Sequence, residues 1–418
     1  MSHYWLLALV FLLCVGTGTS EVTIKTLFTL LTGNGECSDD YVNLMDDYLT
    51  DVSSLASAFD AAIEDATDNP EQQDGWVARA LFKSWFGIVL DENGEATSET
   101  EAQWQTVKDI NTKLKSFMAG SGVAAPQTPP ELLCDGSGFA RYAWDASVEK
   151  WDAETKEYYI YTIDDEEPEL SDIYGYDADL VPYLLENNHN YYAVKAGASD
   201  NNICVAQTGA ATLYGQAFSG QAETIKTYLA NPVHMPAISP LILMCPATLA
   251  QTSLDNIIEQ SVDFDVGVTQ ISALTIRARG PTTLFHEFIH LISFWTEGDG
   301  GSFTFNEDTY VTDYSYDVDQ CLWMAFSEVT VDVPQEDGTT KAKTFYPKDT
   351  VRNAESYTFF ALAYWYYIET GQTFYSGFLS DWDPNAGAEA ETGSTKRSTR
   401  FTAHRYGHWL GRTHRRVR

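Results

Sequence analysis

The stretch from Pro281 to Trp295, and within it His286-Glu287-Phe288-Ile289-His290, restricts this chain more than any other feature. On a helix, side chains four residues apart lie one above the other on the same face. His286 and His290 can therefore reach one Zn2+ ion, with Glu287 beside it to take a proton from a bound water. Leu284, Phe285, Phe288, Ile289, Leu291, Ile292, Phe294 and Trp295 wrap most of the same helix in apolar surface, which predicts that it is buried. Imidazoles and a carboxylate inside an apolar core need polar partners or a metal. The bland alternative is two satisfied core histidines near an incidental glutamate. Gly280-Pro281-Thr282-Thr283 supplies a cap, with proline in the first turn.

A chain of 418 residues allows one large domain or two. Tyr4 to Val15 is apolar and leads into Gly16-Thr17-Gly18-Thr19-Ser20, so residues 1–20 read as a secretory signal peptide. That run is too short for a membrane anchor and no later run approaches the required length. The expectation is a secreted, extracellular protein. Once Cys14 leaves with the signal, Cys37, Cys134, Cys204, Cys245 and Cys321 remain. An odd number in an oxidising compartment predicts two disulfides and one thiol. The formal net charge is −35, although Lys396 to Arg418 carries eight Lys/Arg and no acid, so the rest of the chain is more acidic still. Such a surface repels nucleic acid and anionic membranes, and neither is expected as a partner. It is compatible with basic substrates or simply with a solvated secreted surface. A monomer is expected.

Helical spacing runs from Ser38 to Ala66, with Tyr41, Leu44, Met45, Leu49, Val52, Leu55, Phe59 and Ile63 in one stripe that Asn69-Pro70 ends. Trp76 to Val89 and Glu101 to Met118 read as two further helices. Beyond the linker Ala124 to Pro130 come β-like runs at Phe139–Trp144, Tyr158–Ile163, Tyr191–Val194 and Leu241–Met244. Leu254 to Ile258 could open a helix, and Cys321–Val329 and Ala354–Ile368 read as helices after the buried one. Helices segregated from short strands predict an α+β fold. Residues 393–418, low in apolar side chains and basic, are expected to be a disordered tail. His404 and His408 lie in it four apart, but Gly407 intervenes and a metal role is not expected.

A catalytic zinc needs a third protein ligand. The acids after His290 are Glu297, Asp299, Glu307, Asp308, Asp313, Asp317, Asp319, Glu328 and Glu355. Extension to H-E-x-x-H-x-x-G-x-x-H fails at Ser293 and Thr296. A glutamate from a following helix would be Glu328 or Glu355. An aspartate from a loop would be Asp313, followed at Tyr316 by a phenol.

The order Asp313-Tyr314-Ser315-Tyr316 resembles the D-x-x-Y of the aspzincin metalloendopeptidases, the deuterolysin and peptidyl-Lys metalloendopeptidase family. In that family the motif is G-T-x-D-x-x-Y-G. This chain has Tyr310 for the first Gly, Val311 for Thr and Asp317 for the last Gly. Other landmarks follow the same order: Cys37, Trp85-Phe86-Gly87, Cys134, a strand ending at Cys245, the histidine helix and Asn353-Ala354-Glu355. The resemblance implies a zincin-like fold in which an N-terminal helical lobe packs on a small mixed sheet and an active-site helix. The metallopeptidase domain would span 21–392, with the helical lobe at 37–120 and a catalytic lobe with insertions at 131–392. It implies Zn2+ held by His286, His290 and Asp313, Glu287 as general base, Tyr316 as oxyanion donor, and protein or peptide substrates. It also implies the disulfides Cys37–Cys134 and Cys204–Cys245, leaving Cys321 as a thiol. In Lys-specific relatives the N-A-acid segment lines the substrate pocket. Glu355 keeps its first acid, but Thr358 replaces the second. Two rival readings remain: a zinc endopeptidase with a glutamate ligand, and a catalytically silent secreted protein that keeps the fold as a binding or effector module.

Overall fold

The protein is described by a computed structural model covering residues 22–126, 129–162, 165–174, 180–195, 198–199, 202–206, 213–219, 239–249, 254, 279–306, 309–316, 318–326, 328–334 and 340–371. The signal peptide, the basic tail with His404 and His408, and all of the expected 254–258 helix beyond Leu254 lie outside these residues.

Helix α1 (Ile24–Leu27) leads to α2 (Asp39–Asp68), which opens with Ser38 Oγ accepting from the Tyr41 amide at 3.2 Å. Asp39 and Asp40 in its first turn favour the positive end of the helix dipole. Its inward face carries Met45, Tyr48, Leu49, Val52, Leu55 and Phe59, while Tyr41, Leu44 and Ile63 are only half-buried. Helix α3 (Gln73–Phe86) stops before the expected Val89 because Gly87 turns left-handed, with φ 67°. A Cβ there would lie 2.4 Å from the Ala325 carbonyl, so only glycine fits the turn and the approach together. Helix α4 (Glu101–Met118) has the expected bounds.

The histidine helix α5 (Arg279–Ser293) crosses these helices. Phe288 sits 5.8 Å from the ring of Phe28 and 4.9 Å, edge to face, from that of Phe117. Helix α7 (Ala354–Thr370) brings Phe360 to 4.5 Å from Phe82 and 5.4 Å from Phe59. Each such ring contributes about 1.5–3 kcal/mol by burial, so one core joins the N-terminal helices to α5 and α7. Between them α6 (Val318–Phe326) begins earlier and ends sooner than the expected Cys321–Val329 helix. The chain from Val329 instead pairs as a hairpin, Val329–Pro334 with Thr340–Phe345.

A four-stranded sheet lies beside α5, in the order β1 (Thr29–Leu30), β2 (Glu131–Leu133), β4 (Leu241–Met244), β3 (Gly215–Phe218). Strands β1, β2 and β4 run parallel, and β3 is the antiparallel edge. β4 is buried throughout, as its unbroken apolar run requires. The fold is therefore α+β. Disulfide Cys37–Cys134 joins the start of the helical region to the end of β2, and Cys204–Cys245 fastens an inserted strand to the end of β4. Cys321 is a buried thiol. The insertion between β2 and β3 forms its own antiparallel sheet from Phe139–Arg141, Leu180–Leu185 and Asn190–Lys195. A hairpin, Glu149–Asp152 with Glu157–Ile160, accompanies it. Among the described residues, no helix is long and apolar enough to cross a membrane.

Candidate metal centre

Helix α5 turns His286 and His290 to one side, where their Nε2 atoms lie 3.1 Å apart. Asp313 Oδ1 approaches them at 3.0 and 3.1 Å, so three potential ligand atoms form a nearly equilateral triangle. The far side of each ring is also fixed. His290 Nδ1 donates to the Val311 carbonyl at 2.9 Å, and His286 Nδ1 donates to Glu355 Oε2 at 2.9 Å. A carbonyl can only accept, so the proton of neutral His290 sits on Nδ1 and its Nε2 presents a lone pair. The same reasoning bares His286 Nε2 against the Glu355 carboxylate. Two lone pairs and a carboxylate oxygen thus converge within hydrogen-bond distance with no donor among them. A shared cation is required, either a proton or a metal ion.

The donor set fits a metal. Tetrahedral bonds of about 2.0–2.1 Å put ligand atoms about 3.3 Å apart, so the triangle needs to open by only a few tenths of an ångström. His286 and His290 are nearly closed to solvent, while the Asp313 side chain keeps 30 % of its surface exposed. The site is open on that flank. His286, His290 and Asp313 therefore make up a group able to hold a metal ion.

Charge is concentrated here. Burial would lower His290, but the Asp313 carboxylate outweighs it and raises the ring to about 9. Burial would raise Asp313, yet the two histidines hold it far below the usual carboxylate range. Burial pushes Glu287 up to about 8, with His290 pulling it down and Asp313 pushing it up. The Glu287 carboxylate accepts from the Ala217 amide. It also lies so close to Gly215 that a Cβ there would meet Glu287 Oε1 at 3.0 Å. Edge strand β3 therefore runs beside the Glu287 carboxylate. The Tyr214 carbonyl accepts from the Cys245 amide just past β4, so the alternate residues Gly215 and Ala217 turn their main-chain groups outward.

Tyr316 stacks on His286, ring centroids 5.8 Å apart and 23° from parallel, and is about half exposed at the open side. Glu297, Asp299 and Glu328 are exposed and stand outside the group. Glu307, Asp308, Asp317 and the Asp319 side chain lie outside the described residues. Glu355 corrects the sequence reading. Its carboxylate is buried behind His286 and bonded to Nδ1, so it is neither the third ligand nor a wall of a substrate pocket. An acid two residues after Asn353 was visible in the sequence, but nothing there tells a ligand from a carboxylate that orients one. The Ala217 amide carries no side-chain signal at all.

No protein-family model, curated protein or solved structure matches this chain.

Proposed function

We propose that the chain is a secreted zinc metalloendopeptidase of the aspzincin type, with a zincin-like catalytic domain. The observation that carries this reading is the triangle of bare acceptor atoms with a buried carboxylate, Glu287, at its edge. Two imidazoles and one carboxylate suit zinc better than the oxygen-seeking calcium or magnesium. Two disulfides accord with an oxidising compartment. Zinc at such a centre supplies Lewis acidity, lowering the pKa of a water ligand toward about 7 and polarising a carbonyl.

The chain's own groups do the rest. Glu287, held by the Ala217 amide, takes the proton from the attacking water and returns it to the leaving amine. The Tyr316 hydroxyl, carried at the open flank, donates to the developing oxyanion. With the Ala217 amide taken by Glu287, the outward Gly215 amide and the outward carbonyls of Gly215 and Ala217 remain to pair with an extended peptide, as a sheet edge does. Substrate and catalytic carboxylate are thereby brought together by one strand.

The test is metal analysis of the purified chain combined with casein hydrolysis, with and without chelator and in Glu287→Gln. Chelator-sensitive cleavage that Glu287→Gln abolishes while retaining zinc supports the proposal. Cleavage indifferent to both treatments overturns it. Zinc binding without cleavage favours the silent binding module.

A further inference from the structure

We propose that Asn353 is a positioning residue for the third ligand, and that residues 352–355 are a single template spacing the whole centre; the inference rests on the metal reading above. Asp313 stands on an irregular loop, and neither a helix nor a strand fixes its carboxylate. Segment 352–354 fastens it on both flanks instead. Upstream, the Thr312 amide donates to the Arg352 carbonyl at 2.7 Å, and the Ala354 amide donates to the Thr312 carbonyl at 3.1 Å. Downstream, one oxygen, Asn353 Oδ1, accepts from the amides of Tyr314 at 3.0 Å and Ser315 at 3.1 Å. Asp313 is thus bracketed by four hydrogen bonds from three consecutive residues.

The carboxamide is itself immobilised. Its Nδ2 donates to Ser356 Oγ at 3.0 Å and to Cys321 Sγ at 3.3 Å, and Asn353 has no exposed surface. An amide supplies what this place needs, an acceptor with two lone pairs toward the loop and two N–H donors toward the core. Aspartate lacks the donors, and serine is too short to span both loop amides. Two residues on, Glu355 fixes His286 through Nδ1. The segment therefore controls one ligand from the imidazole side and another from the carboxylate side. The 3.0 Å separation of His286 Nε2 and Asp313 Oδ1 follows from this shared origin.

The experiment compares zinc affinity, by competition with a chromogenic chelator, in the full chain, in Asn353→Ala and in Asn353→Ser. Serine is favoured at a helix start, so it preserves the beginning of α7 should the alanine variant fail to fold. Thermal midpoints are recorded alongside in excess chelator. Both variants should bind zinc ~10–100-fold more weakly, the range for groups that orient metal ligands. Cobalt-substituted forms should show an altered visible spectrum. Wild-type affinity in either folded variant, with only the chelated midpoint lowered, overturns the inference and leaves the metal reading standing. Failure of the unmodified chain to bind zinc overturns the metal reading and this inference with it.

Discussion

His286 and His290 stand on a helix packed against Phe28, Phe117 and Tyr48, whereas Asp313 and Tyr316 stand on a loop held by main-chain and carboxamide hydrogen bonds. On the first side many small apolar contacts fix the geometry, and losing one side chain shifts the others little. On the second side a few directional bonds carry everything, and each is a single point of failure. The half that core packing determines approaches the form of a rigid scaffold. The loop half is also the half left open, with Asp313 partly exposed and Tyr316 about half exposed.

The largest effect separating these halves from the chemistry they share should come from Glu287→Gln. It should lower kcat ~10²–10⁴-fold while zinc content stays unchanged. Loss of zinc instead would mean that Glu287 supports the metal rather than the proton transfer. Tyr316→Phe tests the loop half: steady-state kinetics should show kcat ~10²–10³-fold lower with KM little altered. A change of less than a few-fold would reduce Tyr316 to a ring that packs on His286. Glu355→Gln reaches the helix half from behind and should weaken zinc binding ~10–100-fold by equilibrium competition.

Gly280→Ala attacks the scaffold alone. An added Cβ would fall 2.3 Å from Tyr48 Cζ, overpacking the start of α5. A cost of about 1–3 kcal/mol in denaturant unfolding is expected, with the same zinc affinity in the folded fraction. The last test is linkage to protons. His290 sits at about 9 without metal, because Asp313 outweighs the effect of burial, and its Nε2 must be bare to ligate. Zinc affinity should therefore climb by roughly tenfold per pH unit toward about 9 and then level off. The sign for stability is opposite. The raised value stabilises the metal-free fold fully below the unfolded-state value of about 6.5, and that contribution fades as pH rises through about 9.

The same contrast explains what could be read in the sequence. The histidine helix and α2, α4 and α7 were legible because burial imposes a period that the residues repeat. Asp313 and Tyr316 came from a spacing carried by resemblance, since a loop leaves no periodic trace. Strand β3, only Gly215–Phe218, escaped notice: a short edge strand holding Gly, Gln and Ala has neither alternation nor an apolar run. The Leu180–Leu185 strand was obscured by Pro182, and α6 was misframed because the apolar run through Cys321 continues into a hairpin. Both disulfides match the pairing that the resemblance implied. The bonds from Asn353 to the Asp313 loop and from Glu355 to His286 link residues 38 to 69 positions apart in sequence and have no local signature.

Zinc stoichiometry of the purified chain, measured side by side with Asp313→Ala, bears most directly on the claim that three side chains converge on one ion. About one zinc per chain is expected in the parent, with the ion lost on dialysis from the variant. A variant that keeps its zinc as tightly as the parent would contradict the account.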